Sequence, residues 1–226
     1  MPRPKLSEDE TRALILTKAM DLIGEYGAAK TTVADIARAC GFSTANVHRV
    51  FGTKAEIRSA ACHRMLTTND AETAAAIGEA ETAAAKLDAY VRTVHEQTCA
   101  ALRQHRRMHE MVAEACEERW PEVTAHRARL LGFCRDIVAH GVRTGEFDVP
   151  DEEAAAFGLH MSTFSLFHPL MVQELQGAED RGTPDQFLAF VSRALGYAGP
   201  GGPAGKTNRS VATAPTDRRI PASPPN

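Results

Sequence analysis

No stretch of the chain approaches the roughly 18 to 20 uninterrupted apolar residues of a membrane-spanning helix, and its opening, MPRPKLSEDETR, lacks the apolar segment of a secretion signal. A cytoplasmic protein without a membrane partner is expected. Cysteine is sparse: Cys40, Cys62, Cys99, Cys116 and Cys134 are an odd number with no C-x-x-C pair, which argues against a disulfide framework and a four-cysteine zinc module. A Gly-rich phosphate loop and a G-x-S-x-G elbow are both missing. No run of β-branched residues alternates long enough to make a strand, and there is no internal repeat. These absences leave an all-α protein as the expected fold class.

Net charge is also low, −3 over 226 residues, but it is unevenly spread. Residues 1–66 carry 10 Lys and Arg against 7 Asp and Glu, whereas 67–226 carry 16 against 22. The basic end is where an anionic partner would bind. Residues 199–226 hold 6 of the 12 prolines and almost no large apolar residue, so the sequence predicts a disordered tail there.

Alanine-rich segments with apolar residues three and four apart fill residues 9–197. The first helix is predicted over 9–26, with Ile15, Ala19, Leu22 and Tyr26 on its buried stripe, Leu16 and Ile23 beside it, and Gly27 closing it. Short helices follow over 32–39, 43–51 and 53–69. Thr32 and Asp35, and again Thr53 and Glu56, have capping-box spacing, and Ser43 caps the helix between them. Longer helices are predicted over 82–104, 107–118, 121–144, 151–175 and 184–197. Pro121, Pro150 and Pro184 lie near starts, and Gly145 and Gly177 near ends. Pro169, inside the fourth of these, predicts a kink or break.

The segment Asp35-Ile-Ala-Arg-Ala-Cys-Gly-Phe-Ser-Thr-Ala-Asn-Val-His-Arg-Val-Phe51 has the spacing of a helix-turn-helix. A side chain larger than Ala37 would hold the two helices apart, Gly41 permits the positive φ of the tight turn, and Val47 packs the second helix on the first. The other face of that second helix carries Thr44, Ala45, Asn46, His48 and Arg49. Short side chains at its N-terminus and longer ones beyond suit a major groove, where Arg and Asn make paired hydrogen bonds to guanine and adenine. A merely solvated helix face is the alternative.

The run Thr31-Thr32-Val-Ala-Asp-Ile-Ala-Arg-Ala-Cys-Gly41, followed by Val47-His-Arg-Val-Phe-Gly-Thr-Lys54 and an apolar helix, resembles the N-terminal domain of TetR/AcrR-family transcriptional regulators. The resemblance is specific over residues 9–66. It implies phosphate contacts from Thr32, Ser43, His48 and Lys54 and base-edge contacts from Thr44, Ala45, Asn46 and Arg49. Lys54 has a further rationale, since it opens the helix capped by Thr53, where free amides favour an anion. Arg3 and Lys5 are either a mobile DNA-contacting arm or an ordinary solvated terminus.

The resemblance further implies a homodimer formed by the last two helices, and a small-molecule pocket. Phe187, Phe190, Val191, Ala194 and Leu195 make a stripe that would close either on a second copy or on the same subunit. Candidate pocket residues are Met108, Met111, Trp120, Leu131, Phe133, Phe157, His160, Met161, Phe164 and His168, a mostly apolar set that would equally serve as plain core.

The competing reading is a metal-dependent helical enzyme that carries a helix-turn-helix. Its signals are weak: His109-Glu-Met-Val-Ala113 and His95-Glu-Gln-Thr-Cys99 each miss the zinc-hydrolase pattern, and His105 and His109, one turn apart, lack an evident third ligand. The sequence therefore predicts a DNA-binding regulator, most simply a repressor released from a palindromic operator by a small apolar effector, with no enzyme activity, metal or cofactor. Its expected organisation is a helix-turn-helix domain over 1–52 with 53–69 as connecting helix, a ligand-binding and dimerisation domain over 53–198, and the tail over 199–226.

Overall fold

A computed structural model of the chain describes residues 6–174, 183–197 and 199. Arg3, Lys5, Gly177 and all of the predicted tail except Gly199 lie outside the described residues. Among the described residues there are ten helices and no strand: α1 (Glu8–Tyr26), α2 (Val33–Cys40), α3 (Thr44–Val50), α4 (Lys54–Glu79), α5 (Ala83–Gln104), α6 (Arg106–Glu117), α7 (Pro121–Thr144), α8 (Glu152–Phe167), α9 (Pro169–Glu174) and α10 (Pro184–Ala194).

Local chemistry sets most of the boundaries. Ser7, Thr32, Ser43, Thr53, Thr82, Asp151 and Thr183 each accept a backbone N–H from the first turn of their helix, a contribution of about 1 kcal/mol apiece. Thr32 and Asp35 complete a reciprocal capping box. Thr53 and Glu56 do not: the Glu56 carboxylate reaches one residue farther back and accepts from the Gly52 N–H at 3.0 Å.

α1 is rotated from the predicted stripe. Thr11, Ile15, Ala19 and Ile23 are buried, while Tyr26 is 49% exposed. The stripe follows a four-residue spacing because α1 packs against α2 and α3 on one side and against α4 and α6 along its length.

α4 runs ten residues past its predicted end at 69. The pair Asn69-Asp70 would favour a stop if the Asp70 side chain turned back on its own backbone. Its carboxylate is instead held by His126 and Arg129 of α7, and the helix continues through Ala-rich sequence.

Pro169 ends α8 at Phe167 and starts α9. Freed carbonyls at this break are taken by side chains from other helices. His95 Nδ1 donates to Leu166 O at 3.0 Å, Thr98 Oγ1 to Phe167 O at 3.2 Å, and His109 Nε2 to Pro169 O at 3.2 Å.

Three apolar clusters lie along the molecule. The first joins α1 to α4 through Ile15, Ala19, Ile36, Ala37, Val47, Phe51 and Ile57. The second joins Ile23 and Ala61, Cys62 and Leu66 of α4 to Met108, Met111, Val112 and Ala115 of α6 and to Val123. The third, under α5, α7, α8 and α10, includes Leu87, Tyr90, Leu130, Ile137, Leu159, Val191 and Leu195. α4 contributes to the first two, and Ile77 near its end packs on the third. At 26 residues it is about 39 Å long, a single rod through the whole protein.

Candidate nucleic-acid interface and internal cavity

The turn between α2 and α3 has the geometry its sequence predicts. Gly41 adopts φ 71° and ψ 32°, its N–H donates to Arg38 O at 3.1 Å, and the Phe42 N–H donates to Ala37 O at 2.8 Å. This paired closure requires a left-handed residue, which glycine adopts without a Cβ penalty. Behind the turn Ala37, Val47 and Phe51 are almost fully buried. Arg12 of α1 clamps the far end of α3: its guanidinium donates to Val50 O at 3.2 Å and lies over the Phe51 ring at 4.1 Å.

With Val47 turned inward, α3 presents Thr44, Ala45, His48 and Arg49 to solvent, with Asn46 half-buried beside them. Arg49 Nη2 donates to Asn46 Oδ1 at 3.2 Å, so the two residues best suited to paired base contacts already hold each other. Ser43 Oγ accepts from the Asn46 N–H. His48 Nδ1 donates to Gly52 O at 3.0 Å, leaving Nε2 as its outer atom. Thr32 Oγ1 is bonded to Asp35. Lys54 Nζ donates to Ala29 O at 3.0 Å, tying the start of α4 to the turn before α2. All eight predicted residues thus sit on or beside α3 and the two neighbouring helix starts.

The predicted pocket residues do not converge in this way. A cavity of about 60 Å³ opens among α4, α5, α6, α7 and the α8–α9 break, and only His168 of the ten lines it. Met108 lines a neighbouring open groove of about 1060 Å³. Met111 is core, and Trp120 carries Arg58 over its ring at 5.1 Å. Phe133 packs on the third cluster and Leu131 is half-buried. His160 and Phe164 meet edge to face at 5.5 Å beside the cavity. Phe157 and Met161 point away from it, 53% and 48% exposed. α8 is apolar on two faces, and aromatic size alone does not distinguish the inner from the outer.

The cavity walls are Leu66, Val94, Val112, Val123, Leu130 and Phe167, with Asn69, Gln97, Thr98, His109, His126, Arg127 and His168 as polar groups. Val123, His126, Arg127 and Leu130 recur at helical spacing on α7. Two basic residues inside an apolar stripe were the available sequence signal for this wall. His126 Nδ1 donates to Asp70 Oδ1 at 2.6 Å, and Arg129 pairs with the other oxygen. Burial opposes ionisation of Asp70, yet these two partners outweigh it and hold the carboxyl below its ordinary pKa. Burial lowers the pKa of His109, His160 and His168, and the Arg127 charge adds to that effect at the latter two. Two of the three histidines of the enzyme reading, His95 and His109, bond main-chain carbonyls. Among the described residues no group of three or more His, Cys, Asp or Glu is placed to hold a metal, and no helix is long and apolar enough to cross a membrane.

Comparison with known proteins agrees with this geometry. Residues 15–61 match the family model of bacterial regulatory proteins of the tetR family, and residues 83–187 match that of the tetracyclin repressor-like C-terminal domain. No protein of curated function matches in sequence. Among solved structures, a regulatory protein of the tetR family from Rhodococcus RHA1 superposes with a TM-score of 0.57 at 20% identity, over 84% of this chain and 98% of that one. A TetR/AcrR-family transcriptional regulator from Thermobifida fusca gives 0.58 at 19% identity, over 81% and 95%. RolR in complex with resorcinol gives 0.53 at 18% identity, over 84% and 90%.

Proposed function

The chain belongs to the TetR/AcrR family of transcriptional regulators, and on that footing we propose that it is a homodimeric repressor, released from a palindromic operator by a small ligand that enters the cavity. The observation that carries the DNA-reading half is the exposed face of α3. Asn46 and Arg49 stand on it as a bonded pair, backed by the glycine turn at Gly41. Thr44 and Ala45 are short enough to let the helix end approach base edges, while Thr32, Ser43, His48 and Lys54 flank it as phosphate contacts. His48 Nδ1–H is committed to Gly52 O, so Nε2 is the ring atom turned towards the duplex.

Dimerisation is supported by the outer apolar face. Phe157 and Met161, one turn apart on α8, and Phe190 on α10 are large apolar side chains exposed in the single subunit. Val191 and Leu195 serve the subunit's own core, so the predicted C-terminal stripe divides between the two roles. A second copy covering Phe157, Met161 and Phe190 would place the two α3 helices on one face of a duplex in the cytoplasm.

Ligand control follows from linkage. A ligand that prefers one spacing of the reading heads shifts the protein towards it, and a coupling of about 1–3 kcal/mol changes operator affinity about 5- to 150-fold. RolR, whose fold this chain shares, was solved with resorcinol, a small organic ligand. The function is tested by selecting bound duplexes from a random pool with the purified protein. A two-fold symmetric motif is expected, and a pool that yields no enriched sequence would contradict it.

A further inference from the structure

Arg127 lines the cavity without a counter-charge. Its guanidinium lies over the Phe164 ring at 5.3 Å and against the Cys116 thiol, and among the described residues no carboxylate pairs with it. The buried carboxylate at this wall, Asp70, is already held by His126 and Arg129. His168 stacks on the same Phe164 ring at 5.9 Å, and its Nδ1 is buried with no hydrogen-bond partner. A guanidinium and an unpaired imidazole nitrogen thus flank one aromatic ring, in a cavity whose remaining walls are largely aliphatic. A cation beside apolar walls, and a buried polar atom without a partner, both carry a cost that a complementary ligand would remove.

We propose that the ligand of this cavity is a small organic carboxylic acid. The fork of Arg127 pairs with the carboxylate in the planar, two-bond arrangement that guanidinium favours, and His168 in its Nδ1–H form donates to one of the carboxylate oxygens. The apolar body lies against Leu66, Val112 and Val123. A phosphate monoester also matches a guanidinium fork, but it carries more charge and more acceptor oxygens than one guanidinium among apolar walls can serve. The cavity, about 60 Å³, is less than half the roughly 150 Å³ of a cavity that takes up benzene, so it suits a short-chain acid. Met65, Asn69, Gln97 and Ala101 line both it and the open groove, so the entry route lies between them.

This inference rests on the reading of the cavity as an effector site, and its test separates the two. Propionate, butyrate and benzoate, each beside its primary amide, are titrated into the full-length protein by calorimetry, for the parent and for Arg127→Met and Arg127→Lys, with circular dichroism confirming the fold of each. At least one acid is expected to bind about tenfold or more tightly than its amide. Arg127→Met should bring acid and amide within about twofold of each other, and Arg127→Lys should retain part of the preference. The assignment is overturned if amides bind as well as acids, if none of the acids binds, or if Arg127→Met keeps the preference. Operator retention is measured in parallel. An amide that releases DNA where its acid does not would overturn the acid assignment and leave the effector reading standing. An acid held through Arg127 that leaves DNA binding unchanged would support the site and overturn its role as effector.

Discussion

His126 lines the cavity on α7 and donates from Nδ1 to the buried carboxylate of Asp70 on α4, 2.6 Å away. Asp70 lies about 24 Å along the same helix from Lys54, which opens α4 at the proposed DNA surface. One side chain at the cavity wall is therefore bonded directly to the rod that carries the reading head. Arg58 to Glu114 at 2.5 Å, and Ser59 to Glu122, tie the first half of α4 to α6 and α7. A shift of α7 against α4 is transmitted through these contacts without any need to deform the helix.

Asp70→Asn should lower stability by about 2 kcal/mol, since hydrogen bonds to a charged group are lost in a buried site, discounted for the partly exposed Arg129. The pKa of Asp70 is lower folded than unfolded. Its contribution is thus fully present above the unfolded value, about 3.9, and is lost as pH falls through the folded value. Denaturation midpoints of parent and variant should differ by a constant amount above about pH 5 and begin to converge only as pH falls below about 4 towards the folded value. A constant difference down to pH 3 would contradict the pairing.

Gly141 sits inside α7 where a Cβ would come within 2.1 Å of Phe147 Cδ2. The Phe147 ring is buried and packs edge-on against Tyr197 at 6.2 Å, so it has little room to retreat. Gly141→Ala should cost about 1–3 kcal/mol despite the better helix propensity of alanine. Adding Phe147→Leu should recover part of that loss in urea melts. A stabilised single variant would mean that the contact is not as described.

Asn46→Ala and Arg49→Ala should each weaken operator binding by about 1–3 kcal/mol. Because the two side chains are bonded to each other, the double variant should lose less than the sum of the singles. Fluorescence anisotropy titrations of all four proteins measure this, and strict additivity would argue that the pair acts as two independent contacts.

Met161→Glu and Phe190→Glu place charge on side chains 48% and 63% exposed in the subunit, so neither should unfold it. Together they should shift the protein to monomer by sedimentation velocity, with unchanged helical circular dichroism. A dimer that persists would move the interface elsewhere.

How much was legible in the sequence divides along the chain. Ala37, Gly41, Val47 and the caps at Thr32, Ser43 and Thr53 act within one or two turns, so spacing alone places them. Pro121 to Gly145 likewise bracket α7 to the residue. The cavity depends on which face of each long helix meets which neighbour, and apolar periodicity does not say this when two faces are apolar. Phe157 and Met161 have the size of pocket residues but face outward, whereas Arg127 and His126 are marked only by their place inside the apolar stripe from Val123 to Leu130. Asp70 could not be read as buried because its partners, His126 and Arg129, lie more than fifty residues away.

The central claim is tested most directly by sedimentation of the full-length protein with a fluorescent duplex bearing its selected motif. Two chains per duplex are predicted, with half-site centres about one helical turn, roughly 34–36 Å, apart. A single chain per duplex, or equal binding to a scrambled duplex at physiological salt, would contradict the account.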